Sequence, residues 1–271
     1  MWLAAAFVGA GCSVTTDAIP REGACLPFEL VGLSPPDGAP AVPLDATFVY
    51  AFTDFPEPDT AIGQNFGVFS GPYYYTAHES VDLVARTIRF KPTSSLPAGL
   101  GFTLGMSARV TSLRGCPIAP PPALASGKVP TSYYFSFHTA EAGSDQPPAE
   151  PVPVPATFAQ VLDVAAAHCA GTSCHLAAEA NGAPPAEACL AAPGGGLSLC
   201  PAQAHASMVG VISKQVSRLA IVAPRDSARS YLLRKLLGAP PVTGHQGPPE
   251  DALADAELVA LQSWIDSGAP P

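Results

Sequence analysis

Residues 141–156 read Glu-Ala-Gly-Ser-Asp-Gln-Pro-Pro-Ala-Glu-Pro-Val-Pro-Val-Pro-Ala, with five prolines in sixteen positions. Proline locks φ and lacks an amide donor, so neither a helix nor a central strand runs through such a stretch. Its preferred state is an extended, semi-rigid polyproline spacer. The 271-residue chain is therefore divided. Residues 28–140 and 157–271 lie on either side, each long enough for its own core.

The first of these is all-β in its pattern. Thr47 to Phe52 alternates, with Phe48, Tyr50 and Phe52 on one face. Thr87 to Lys91 alternates around Ile88 and Phe90; Phe102, Leu104 and Met106 repeat the pattern, and Tyr133, Phe135 and Phe137 close it. Period-2 alternation over such lengths marks half-buried antiparallel strands. Pro35-Pro36-Asp37-Gly38, Pro56-Glu57-Pro58-Asp59 and Pro97-Ala98-Gly99 supply turns between them. Short strands spaced this way predict a β-sandwich. The segments Leu33 to Gly38, Val42 to Asp45, Ile88 to Pro92, Leu96 to Gly99 and Phe135 to Thr139 together resemble a bacterial Ig-like domain of the S-layer (SbsA) type. That resemblance implies a sandwich of about seven strands, used as an envelope spacer or adhesion module without catalysis. The run Tyr73-Tyr74-Tyr75 has two readings: a sugar-stacking surface or ordinary strand residues.

Beyond the linker the period changes. Thr157 with Gln160 three residues on is a capping box that opens a helix over Phe158 to His168 and delivers Cys169 at its end. Further helices are expected over Ala202–Val216, from Asp226 to a C-capping Gly238, and over Asp255–Ser267. In the last, Asp255 and Glu257 suit the first turn, and Leu258, Leu261 and Ile265 share one face.

Cys169-Ala-Gly-Thr-Ser-Cys174-His175 carries the candidate chemistry. Two thiols followed at once by an imidazole is the arrangement that holds a haem through thioether bonds and ligates its iron. Two residues usually separate the thiols; here there are four. A small disulfide loop is the other use of the pair. A zinc site would need a second ligand pair, and Cys189 and Cys200 are poorly spaced for it.

The domain resembles the cytochrome c-like domains of planctomycete and myxobacterial envelope proteins. The Cys-His start, Val222 to Ser227 with Ser230 to Leu236, and Leu253 to Leu258 with Trp264 to Ala269 stand in the matching order. The resemblance implies haem c bound by Cys169 and Cys174, His175 as proximal iron ligand, and a Met-Pro pair before the last helix as the second. Gly247 stands where that Met is expected, and Met208 is assigned to the core. His245 then takes the site, or it stays open, or haem has been lost. His205 is a further candidate, His168 suits a helix C-terminus, and His78 and His138 are assigned structural roles.

The N-terminus reads as an export signal, which leads to the expectation of a place outside the cytoplasm. Met1 to Gly11 is apolar and ends in small residues before Cys12, which resembles a lipobox with Cys12 lipidated. On that reading residues 1–12 are a signal and anchor, and 13–27 a spacer; a cleaved secretory signal, or neither, are the other readings. With Cys12 lipidated, six of the seven cysteines remain: Cys25 and Cys116 could bridge the ends of the first domain, Cys169 and Cys174 form the haem-type motif, and Cys189 and Cys200 could close one loop, the connectivity being left open by the sequence. With 22 acidic and 13 basic residues, nucleic acid is excluded as a partner. No Gly-x-Ser-x-Gly, His-Glu-x-x-His or phosphate loop occurs, so no enzyme is expected.

The chain is thus expected to be a multidomain protein: an all-β Ig-like sandwich plus a mainly α cytochrome c-like domain. The expected function is one-electron transfer by a periplasmic or outer-membrane lipoprotein, attached to the membrane through its lipid anchor, with a redox partner protein that the sequence does not identify. The alternative is a haem-free structural or adhesive cell-surface module with its cysteines in disulfides.

Overall fold

The computed structural model describes residues 25–121, 127–128, 130–143, 154–169, 194–242 and 253–271. The chain divides into two compact units, and within the linker the division falls between Val154 and Pro155.

The described residues of the first unit form a sandwich of nine strands: β1 (Leu30–Ser34), β2 (Ala39–Val42), β3 (Phe48–Phe52), β4 (Phe66–Ser70), β5 (Tyr73–Tyr75), β6 (Ala77–Asp82), β7 (Thr87–Pro92), β8 (Gly101–Ser107) and β9 (Ser132–Thr139). One sheet has the order β1-β3-β7-β6, the other β2-β9-β8-β4-β5. This is the strand order of an immunoglobulin-like sandwich, with the first strand split between the two sheets. The split follows from Pro35-Pro36-Asp37-Gly38. Pro35 and Pro36 donate no amide to a ladder and Gly38 has φ 77°, so β1 ends and the chain crosses over. The Asp37 carboxylate then accepts the Ser136 amide at 2.7 Å, and β2 runs parallel to β9.

Alternation sets which side chains fill the space between the sheets. Phe48, Tyr50 and Phe52 of β3 face inward, as do Ile88 and Phe90 of β7, and Phe102, Leu104 and Met106 of β8. Rings meet across the gap: Phe48 with Phe137 at 4.9 Å and Tyr50 with Phe66 at 5.2 Å between centroids. Burying each such side chain contributes about 1.5–3 kcal/mol. Tyr50 is wholly buried, its hydroxyl has no hydrogen-bond partner among the described residues, and burial pushes its phenol well above the usual tyrosine range.

Cys25 and Cys116 are joined by a disulfide, with 5.5 Å between their Cα atoms. Cys116 is placed by a tight turn in which buried Ser112 accepts the amides of Arg114 and Cys116 through its hydroxyl oxygen. The same turn carries Arg114 to the buried Asp54 carboxylate, at 3.5 Å. The spacer expected before residue 28 is therefore tied to the sandwich from Cys25 onward.

Edge strand β6 carries an inward-facing acid. Glu79 pairs with Phe90 and so points to the core side. A charge there discourages pairing with another sheet edge. Desolvation raises the Glu79 pKa, against its own backbone hydrogen bond and His78, which lower it.

The second unit contains α1 (Phe158–Cys169), α2 (Ala204–Met208), α3 (Tyr231–Leu237) and α4 (Asp255–Asp266). Helix α2 is far shorter than the pattern over Ala202–Val216 predicts. Val209 is extended, Gly210 has φ 72°, and the chain forms backbone bridges from Val209 to Val222 and Ile212 to Ala220. β-branched Val209, Val211 and Ile212 favour that pairing over helix. The helix expected from Asp226 is split into a 3₁₀ turn, Ser227–Arg229, and α3, which ends at left-handed Gly238 (φ 65°).

Two expectations follow. The disulfide spans a sequence separation of 91, so Cys25→Ser with Cys116→Ser should lower the sandwich's unfolding free energy by about 4.6 kcal/mol on loop entropy; urea titration measures it. A raised native pKa means that Glu79 favours the fold while protonated and loses that contribution as pH rises through it. Glu79→Gln should therefore raise the melting temperature near neutral pH, with the gain vanishing in acid.

Candidate functional site

Helix α1 leads to the Cys-His segment, and its start is closed reciprocally. The Thr157 amide donates to Gln160 Oε1 at 2.8 Å, and the Gln160 amide to Thr157 Oγ1 at 3.3 Å. The helix lies antiparallel to α4. Phe158 stacks on Trp264, centroids 5.5 Å apart, while at the other end His168 Nε2 meets Glu257 Oε1 at 3.1 Å. Trp264 is wholly buried, and its Nε1 donates to the Pro270 carbonyl at 2.8 Å.

The backbone of Cys169 closes α1. Cys174, His175 and His245, the other expected haem contacts, lie outside the described residues, as does the expected anchor Cys12. Cys189 also lies outside them. Cys200 is buried and disulfide-bonded.

The remaining histidines are engaged within the fold or lie on the sandwich. His205 Nε2 bonds to the Ala269 carbonyl at 2.8 Å, and its ring meets Phe158 edge-on at 5.2 Å. His168 is taken up by Glu257. His78 is exposed on β6, and His138 lies on β9 with its ring against Gly101, where a Cβ would sit 3.2 Å from Nε2. Met208 is buried in the helical unit. Among the described residues no group of three or more His, Cys, Asp or Glu side chains is placed to hold a metal. No described helix is long and apolar enough to cross a membrane.

Glu257 has two duties. Its Oε2 accepts the Ala254 amide at 2.8 Å, capping α4, and its Oε1 meets His168. The Ala254 amide, then His168, hold its carboxyl below the usual glutamate range.

The tyrosine run forms β5, and its members part ways. Tyr75 faces inward onto Phe102, centroids 5.5 Å apart. Tyr74 faces outward beside Phe69 of β4 at 5.3 Å. Tyr73 lies at the hairpin end, exposed. Phe69 and Tyr134 were not singled out by the sequence, because each sits next to an inward-facing residue whose alternation dominates the pattern.

No family model and no curated protein matches the sequence. Solved structures similar to the chain include the S-layer protein SbsC, at 16% identity and TM-score 0.30, over 48% of this chain and 15% of that one. L,D-transpeptidase 1 of Mycobacterium tuberculosis follows at 16% and 0.27, over 42% and 40%. CopC from Methylosinus trichosporium OB3b stands at 13% and 0.30, over 44% and 99%. The chain thus spans about 15% of the S-layer protein's length. The immunoglobulin-like assignment rests on strand order and register, not on these likenesses.

A lowered native pKa makes Glu257 stabilising above its unfolded-state value and loses that contribution as pH falls through the native one. Glu257→Ala should lower the melting temperature of the helical unit near neutral pH and flatten its dependence on acid, as read by circular dichroism.

Proposed function

We propose that this chain is an exported structural or adhesive module of the cell envelope, its cysteines in disulfides. The observation that carries the reading is the Cys25–Cys116 bridge across an immunoglobulin-like sandwich. Such bonds persist in oxidising compartments and are rare in the cytosol. The disulfide-bonded state of Cys200 supports the same compartment. In this reading Cys12 carries a lipid, and the sandwich and Pro-rich linker act as a spacer between the anchor and the helical unit. Within that unit His168 is engaged by Glu257 and His205 by the Ala269 carbonyl.

The haem reading makes a different prediction for the same protein, so one preparation separates them. The full chain would be exported together with a c-haem maturation system, then denatured and digested. The expected product is colourless, with Cys25–Cys116 and a Cys200 cross-link recovered by mass spectrometry. A visible haem band that survives denaturation, with Cys169 and Cys174 alkylated by porphyrin, would overturn it.

A further inference from the structure

The outer face of the five-stranded sheet is built differently from the rest of the surface. Gly67 of β4 and Gly105 of β8 are directly paired. Three aromatic rings spread over them. A Cβ on Gly67 would lie 2.6 Å from the Phe69 ring and 3.0 Å from that of Tyr74. One on Gly105 would lie 3.5 Å from Phe69 and 3.7 Å from Tyr134. The missing Cβ atoms let these rings settle against the backbone. The Tyr74 hydroxyl is held by the Gly63 carbonyl at 3.1 Å. Large rings so placed are nevertheless open to solvent: Phe69 is 38% exposed, Tyr74 48% and Tyr134 64%.

Along β9 the same face continues through Ser136 to His138. That is a run of about 13 Å from Tyr134, at the usual rise per strand residue. It ends in a surface pocket of about 380 Å³ lined by Gly38, Pro40, Gly99, His138, Thr139 and Glu141. Glycine again makes room, since a Cβ on Gly99 would lie 2.8 Å from the Glu141 carboxylate. The face therefore joins a ring platform to a pocket with polar side chains.

Charge selects the occupant. The chain carries a net charge of −9; the ring platform itself, Phe69, Tyr74, Thr103 and Tyr134, is uncharged, and the carboxylates at its far end, Asp37 on Ser136 and Glu141 in the pocket, are acidic. A polyanion gains no attraction, and a second copy would bring another −9 to the contact. An uncharged ligand with weakly positive C–H faces and many hydroxyls suits both halves, because aromatic faces are negative and an imidazole such as His138 can donate to or accept from hydroxyls.

We propose that this face binds an uncharged polysaccharide, its sugar rings stacked on Phe69, Tyr74 and Tyr134 and a further unit seated in the His138–Glu141 pocket. The inference rests on the envelope reading, which puts such polymers within range. Its test uses purified protein, so a negative result there leaves the haem and disulfide experiment unaffected.

The oxidised full chain would be titrated calorimetrically with cellohexaose, chitohexaose and laminarihexaose. Saturable binding of at least one is expected, weakened about tenfold by Tyr134→Ala, the value of one stacked ring. His138→Ala should also weaken it. Tyr73→Ala, off the platform at the hairpin end, should leave it unchanged. The proposal is overturned if folded wild-type protein binds none of the three, or if Tyr134→Ala binds as tightly as wild type. It is equally overturned if sedimentation shows a wild-type dimer that Tyr134→Ala dissolves, since the face would then belong to a second copy.

Discussion

The first unit depends on the meeting of two rows of large side chains between its sheets. Phe48, Tyr50 and Phe52 extend from β3, and Phe102, Leu104, Met106 and Phe137 answer from β8 and β9. Each sheet alone would leave that row in water. Packed together they remove it, and the period-2 backbone then dictates that every intervening residue faces out. The outer-face glycines and rings follow from this constraint. Once Val68, Leu104 and Phe135 must point inward, Gly67, Phe69, Gly105 and Tyr134 have no other side to occupy.

The second unit works by a different economy. Its helices are short, and a short helix is marginal without tertiary contacts. The Phe158–Trp264 stack and the His168–Glu257 pair hold α1 along α4 at both ends. Trp264 adds its hydrogen bond to the Pro270 carbonyl, so the C-terminal residues close over the ring. The stretch leading to Cys169 is thus part of a packed scaffold, whatever its cysteines hold.

Legibility in the sequence followed how local each signal was. The strands around Phe48, Ile88, Phe102 and Phe135 were readable, since alternation is a property of six adjacent residues. So was the Thr157–Gln160 box, whose partners are three residues apart. β2 was not, being four residues long and defined by the neighbour it pairs with, while β5 was legible as the strand reading of the tyrosine run. α2 was over-extended because Ala202 to Val216 has helical spacing, while Gly210 and the bridge to Val222 favour extended chain. The Cys25–Cys116 pair was suggested by position, and the Ser112 turn that presents Cys116 was invisible. The haem contacts were legible as a motif only, and Cys174, His175 and His245 lie outside the described structure.

The sequence by itself determined the element types, the division at the Pro-rich linker and the residues that must be buried, because these depend on neighbours along the chain. Tertiary structure decided which strand joins which sheet, that Glu79 faces the core, and that Phe69, Tyr74 and Tyr134 share one surface. Those outcomes depend on pairing between residues far apart in sequence: Gly67 meets Gly105 across one strand boundary, and Gly105 meets Tyr134 across another. No local pattern encodes such a meeting, since its free energy arises only when the distant segments have already packed.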